Sequence, residues 1–175
     1  MVKWFLRELA VIKILNLGAG NRIIEGADNH DVFAHRPEIN LEWDLDEIHW
    51  FDLSWESDLH YYDQQIVNYY DKIEFISVIE HLVITPIQAL NECWHLLKPS
   101  GELVVKYPHY KSETSYHDPT HRWHLTEHSL DYVDPSTQFG KDYAYYTPYK
   151  WHIETPVENR IIKNRNVKMV LRPIK

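Results

Sequence analysis

Residues 12–20, Ile-Lys-Ile-Leu-Asn-Leu-Gly-Ala-Gly, limit the fold more than any other stretch. Ile12, Ile14, Leu15 and Leu17 form a short apolar run, and it stops at Gly18-Ala19-Gly20. Its length, β-branching and glycine stop predict a buried strand rather than a helical segment. Without Cβ atoms, the chain after such a strand can turn tightly. It can also bring its backbone against a nucleotide-like ligand at the strand's carboxyl end. A strand and glycine turn without a ligand is the plainer reading of this stretch taken alone.

With 175 residues, the chain is long enough for one domain with a proper core, and a single domain over 1–175 is expected. No apolar run reaches membrane-spanning length, and charge interrupts the opening residues too early for a signal peptide. The lone Cys93 excludes an internal disulfide and a multi-cysteine zinc site, and a cytoplasmic setting is expected. The net charge is −8, yet the last sixteen residues hold six Lys/Arg and no acid, which leaves −14 on residues 1–159. So acidic a body disfavours a broad nucleic-acid footprint.

Further strands are expected over 27–32, 40–44, 71–79 and 102–107, with a final pair over 149–157 and 167–173. A short helix is read over 4–10, and loose helical spacing runs through Trp50, Phe51, Leu53, Trp55 and Leu59, continuing over 63–69. Residues 86–97 form an amphipathic helix with proline in its first turn, ended by Lys98-Pro-Ser-Gly101. Another short helix is expected over 126–133, capped by Thr126. Residues 21–26 are too few for a full crossover helix. Alternating strands and helices predict an α/β fold with a mostly parallel sheet and an antiparallel C-terminal edge. Ligands of such sheets bind beyond the strands' carboxyl ends, which puts Gly18–Gly20, Asp31, Asp44, Ser77–His81 and the chain after Tyr107 on one rim.

The dinucleotide fingerprint fits poorly, because Ile23 holds its third glycine position and Asp31 comes too soon. A nucleoside without phosphates fits better, with Asp31 for ribose hydroxyls and Asp44 for an adenine amine. Five stretches then carry a resemblance: Leu15–Asn21, Trp43-Asp-Leu45, Val78-Ile-Glu-His-Leu82, Leu97-Lys-Pro-Ser-Gly101 and Tyr116-His-Asp-Pro-Thr-His-Arg122. In these the chain resembles the class I S-adenosylmethionine-dependent methyltransferases over residues 12–133, in a compact subgroup with Glu-His-Leu, Leu-Lys-Pro-x-Gly and His-Asp-Pro-Thr-His-Arg motifs.

The resemblance implies a Rossmann-like methyltransferase sheet with a reduced first crossover helix, and S-adenosylmethionine as cofactor. Asn16, Gly18, Ala19 and Gly20 would meet its methionine and ribose portions, Asp31 the ribose, Asp44 and the Leu45 backbone the adenine, and Ser77 and Val78 the cofactor's flank. Besides Ser100 in Lys98-Pro-Ser-Gly101, which the turn absorbs, two positions depart from the family pattern: Asn16 stands where an acid is usual, and Arg22 where the last glycine is usual. They support a rival expectation, a non-catalytic nucleoside-binding or interaction module.

Methyl transfer needs alignment of the acceptor and removal of its proton. His117, Asp118 and His121 are the expected acceptor-binding or base residues, with a structural turn at Asp118–His121 as the plainer alternative. His81 and Glu80 are read as shaping the pocket. His117, His121, His124 and His128 have helical spacing, but Pro119 and Thr126 interrupt it, and no metal site is expected. The nucleic-acid amino-methyltransferase tetrapeptide is replaced by Ser77-Val-Ile-Glu80, so a small-molecule or saccharide acceptor is preferred.

Overall fold

The computed structural model describes residues 12–47, 50 and 66–175. The helix expected over 4–10, and most of that expected between 51 and 65, lie outside the described residues. Strands β1 (Ile14–Leu17), β2 (Asp28–Asp31), β3 (Leu41–Glu42) and β4 (Tyr70–Ile76) precede helix α1 (Pro86–Leu96). Strand β5 (Leu97–Pro108) follows, then α2 (Thr114–His117), α3 (Gln138–Asp142), β6 (Lys150–Ile153), α4 (Val157–Arg160), β7 (Ile161–Ile162) and β8 (Asn166–Ile174). One sheet runs in the order β3-β2-β1-β4-β5-β8-β6, with β7 also paired to β8. Strands β1 to β5 are parallel, and β8 is antiparallel to both β5 and β6. The fold is thus a mostly parallel α/β sheet with an antiparallel C-terminal edge.

The central strands are buried as parallel strands must be. Leu15, Leu17, Ile73, Phe75, Leu103 and Val105 are fully enclosed. Helix α1 covers them with Ala89, Leu90, Cys93 and Leu96. Its first turn is fixed by a capping box: Thr85 Oγ1 accepts from the Gln88 amide, and the Gln88 side chain accepts from the Thr85 amide. Pro86 adds a preset φ where no donor is needed.

Local chemistry moves several expected boundaries. Residues 66–69 are not helical, because the Asn68 and Tyr69 amides satisfy the His95 and Leu96 carbonyls at the end of α1. The fourth strand ends at Ile76 instead of Ile79, since Ser77 takes φ +58° and turns the chain. Lys98–Gly101 does not separate helix from strand. It forms an irregularity inside β5, between the pairs Tyr70↔Leu97 and Lys72↔Glu102. Gly101 is needed there: a Cβ would lie 2.8 Å from Leu97 Cδ2 and 3.1 Å from the Tyr70 carbonyl oxygen. The helix expected over 126–133 is instead a series of turns ending in a 3-10 turn at Asp131–Val133. The Ser129 hydroxyl accepts from the Thr126 amide and Thr126 Oγ1 from the His128 amide, so side chains take the bonds a helix would use.

Candidate functional site

The carboxyl ends of β1, β2 and β4 build the rim. Gly18 and Gly20 both have positive φ, +61° and +52°. A Cβ on Gly18 would sit 2.4 Å from Val78 Cγ2, so the loop after β1 lies directly on the turn after β4. Asp31 Oδ2 accepts from the Gly20 amide at 2.7 Å, and its Oδ1 accepts from the Val32 amide at 2.8 Å. The register of β1 with β2 pairs Asn16 with Asn29 and so sets the glycine loop against the end of β2. Asp44 follows β3 and is exposed, whereas Leu45 is buried. Asp46 Oδ1 accepts from the Val83 and Ile84 amides, which ties the loop after β3 to the turn after β4.

The two departures from the family pattern answer each other. Asn16 donates from Nδ2 to the Arg22 carbonyl at 2.6 Å and to Asn29 Oδ1 at 2.9 Å, and its Oδ1 accepts from Arg22 Nη1 at 3.1 Å. An ionised aspartate has no donor and could not make the first two bonds. Arg22 also pairs with Glu74 of β4, which fixes the chain after the glycines without a crossover helix.

His30 is a residue the sequence reading missed. Its Nδ1 accepts from the Gly18 amide at 3.3 Å, its Nε2 bonds the Trp43 carbonyl at 2.9 Å, and its ring lies 3.6 Å from that of Trp43. Because Nδ1 accepts, Nε2 carries the proton. Burial lowers the pKa to about 4, so the neutral ring holds the loop.

A second constellation lies two residues beyond Val78. The Glu80 carbonyl accepts from the Arg122 and Trp123 amides at 2.8 and 3.1 Å, and the Leu82 carbonyl accepts from Trp123 Nε1 at 2.8 Å. These bonds latch the segment after β5 onto the turn after β4. They bring the His121 ring to 4.5 Å from the His81 ring. One donor atom from each of Glu80, His81 and His121 lies within 4.8 Å of the others. Glu80 is 1% exposed and its Oε2 has no hydrogen-bond partner among the described residues. Burial pushes this carboxyl up to about 7. Burial, and secondarily His121, lowers His81.

The expected base residues therefore take three different places. His121 joins His81 and Glu80. Asp118 is exposed and closes a turn, its Oδ1 accepting from both the amide and the hydroxyl of Thr120; these bonds hold its carboxyl below the usual range. His117 is exposed at the end of α2. The expected helical histidine face does not form: His124 turns to Ser115 and stacks on Tyr116, and His128 turns to Asp131.

This strand order, with its antiparallel eighth strand and glycine loop after β1, defines a Rossmann-like methyltransferase fold. Solved structures agree. A SAM-dependent methyltransferase from Archaeoglobus fulgidus superposes with a TM-score of 0.53 at 16% identity, over 93% of this chain and 86% of that one. The aminoglycoside resistance methyltransferase NpmB1 gives 0.53 at 14% identity, over 93% and 87% of the two chains. An S-adenosylmethionine dependent methyltransferase from Mesorhizobium loti gives 0.51 at 11%, over 92% and 90%. No protein-family model matches the chain, and no curated protein matches it in sequence.

Proposed function

We propose that this chain binds S-adenosylmethionine on the rim and transfers its methyl group to a small-molecule or saccharide acceptor. The observation that carries the reading is the junction of Asp31 with the glycine loop. The Gly20 and Val32 amides use two of the roughly four acceptor sites of the carboxylate, leaving capacity for two ribose hydroxyls. Gly18 and Gly20 bring backbone without Cβ atoms to the same place. Asn16 and Ala19 support that loop, Asp44 and the Leu45 amide would hold the adenine, and Ser77 and Val78 would flank it.

S-adenosylmethionine supplies a methyl group already activated on a sulfonium. What remains for the protein is to align the acceptor and take its proton. His121 is the residue proposed for the proton, with Asp118 and His117 on the approach to it. The acidic body and the sequence Ser77-Val-Ile-Glu80 favour a small or saccharide acceptor over a nucleic-acid base. A non-catalytic nucleoside binder is the second reading. It draws on the Asn16–Arg22 pairing, which fills the first motif with neutral and basic groups.

Thermal unfolding with S-adenosylmethionine, S-adenosylhomocysteine, NAD and ATP in parallel tests the proposal. At about 100 times its dissociation constant, a ligand stabilises by roughly 2.7 kcal/mol, about 5–10 °C at this size. The expected result is a shift with the first two ligands alone, reduced in Asp31→Asn, which keeps one acceptor for Gly20. A shift with NAD or ATP alone overturns it. Binding without turnover across an acceptor screen favours the second reading.

A further inference from the structure

We propose that Glu80, His81 and His121 form a binding site for a divalent first-row transition cation. Three observations, independent of one another, converge on it. One donor atom of each residue already lies within 4.8 Å of the other two. Glu80 Oε2 is buried without a hydrogen-bond partner among the described residues, and an uncompensated buried carboxylate oxygen is costly unless something covers it.

The third observation is the tautomer of each ring. The Thr120 hydroxyl gives its proton to Asp118 Oδ1 at 2.7 Å, so His81 Nδ1, 2.8 Å from the same hydroxyl oxygen, is the donor of that pair. The Ser115 carbonyl can only accept, so His121 Nδ1, 3.1 Å away, donates to it. In the neutral form of each ring the lone pair is therefore left on Nε2. Metal-binding histidines are oriented in the same manner, with one nitrogen donating to an outer oxygen and the other free for the ion. The Asp118–Thr120–His81 chain is a carboxylate-backed support of that kind.

Two imidazoles and one carboxylate suit Zn2+, Co2+ or Fe2+ better than Mg2+ or Ca2+, which prefer all-oxygen shells. Bonds of 2.0–2.2 Å in a tetrahedral site bring ligand atoms to roughly 3.3 Å of one another. From their present limit of 4.8 Å the three groups would close by up to about 1.5 Å. Three protein ligands leave at least one position open to water or to an acceptor oxygen. With a cation bound, His121 Nε2 would be occupied and could not take the proton; the cation would instead lower the acceptor hydroxyl's pKa, a use that rests on the methyltransfer reading. The site itself does not.

Co2+ titration of the chelator-treated full chain, followed by visible absorption, is the test. The expected result is a one-to-one rise in d–d absorption that Zn2+ reverses and millimolar Mg2+ does not. Glu80→Gln and His121→Asn should each weaken Co2+ at least tenfold, and circular dichroism checks that they fold. Thr120→Val leaves all three ligands in place but removes the support of His81, and should weaken Co2+ about tenfold. His124→Asn, on a neighbouring exposed histidine, should change nothing. Absence of d–d absorption at stoichiometric Co2+ overturns the site. So does binding that survives Glu80→Gln and His121→Asn, or that is lost in His124→Asn. Binding of S-adenosylhomocysteine by the same samples is read separately, so failure of the cation site and failure of the cofactor site are distinguishable.

Discussion

Asp131 and Glu80 are both buried carboxylates beside histidines, and the fold treats them in opposite ways. Asp131, 4% exposed, has both oxygens met: its Oδ1 accepts from Arg160 Nη1 at 2.6 Å and its Oδ2 meets His128 Nδ1 at 2.8 Å. Arg160 is buried too and donates to the Glu127 and Thr155 carbonyls, so the cluster is closed on itself. Glu80, 1% exposed, has two histidines within reach of a shared ion and an oxygen that no described residue meets. A buried carboxylate with both oxygens met in this way holds the chain together. A buried oxygen without a partner, on a residue grouped with two histidines, is what the proposed cation would satisfy.

The largest effect should come from breaking the Asp131 cluster. Arg160→Met leaves Asp131 buried without its main donor, and should cost about 3–5 kcal/mol in chemical denaturation. A loss below 1 kcal/mol would erase the contrast. His30 comes next, a buried group kept neutral by design of its bonds. The unfolded chain protonates it near 6.5 and the folded chain only at about 4, so the unfolded state binds more protons between those limits. Stability should therefore fall as pH drops from about 6.5 to about 4, by roughly 3 kcal/mol in all. In a pH series of unfolding curves, His30→Gln should flatten that slope.

Glu80→Gln should have the opposite sign to a lesion at Asp131. The folded carboxyl titrates at about 7 and the unfolded one at 4.5. The folded state thus binds more protons in that window, and the stability it contributes is lost as pH rises through it. In chelator at pH 8, Glu80→Gln should gain about 1–3 kcal/mol, with no gain at pH 4. The smallest effect is expected for Thr120→Val, an exposed position where denaturation should change by less than about 0.5 kcal/mol while Co2+ affinity falls. A large stability loss there would make the Asp118–Thr120–His81 chain structural.

The comparison also separates what was legible in the sequence from what was not. The apolar run before Gly18, the proline-started helix at Pro86 and the last strand carry local periodicity, and each forms close to its expected span, whereas the strand expected over 149–157 is confined to Lys150–Ile153. The resemblance drawn from the motifs agrees with the observed sheet. The histidine segment was legible only as a cluster. What gives His121 its neighbours is a pair of backbone bonds to the Glu80 carbonyl from residues 42 and 43 positions later, and no local pattern encodes them. His30 was invisible for the same reason: an unremarked position in a four-residue strand becomes the brace of Gly18 only once β2 lies beside β1. Asn16 read as a lost charge, yet it is a needed donor, which became visible only with the Arg22 carbonyl 2.6 Å away.

Calorimetric titration of S-adenosylhomocysteine into the metal-free protein and into Asp31→Asn tests the central claim most directly. The account predicts one saturable site in the wild-type chain and at least tenfold weaker binding in the variant, with both proteins equally folded. Absence of binding heat at millimolar ligand over several temperatures, or equal affinity in the two proteins, would contradict it.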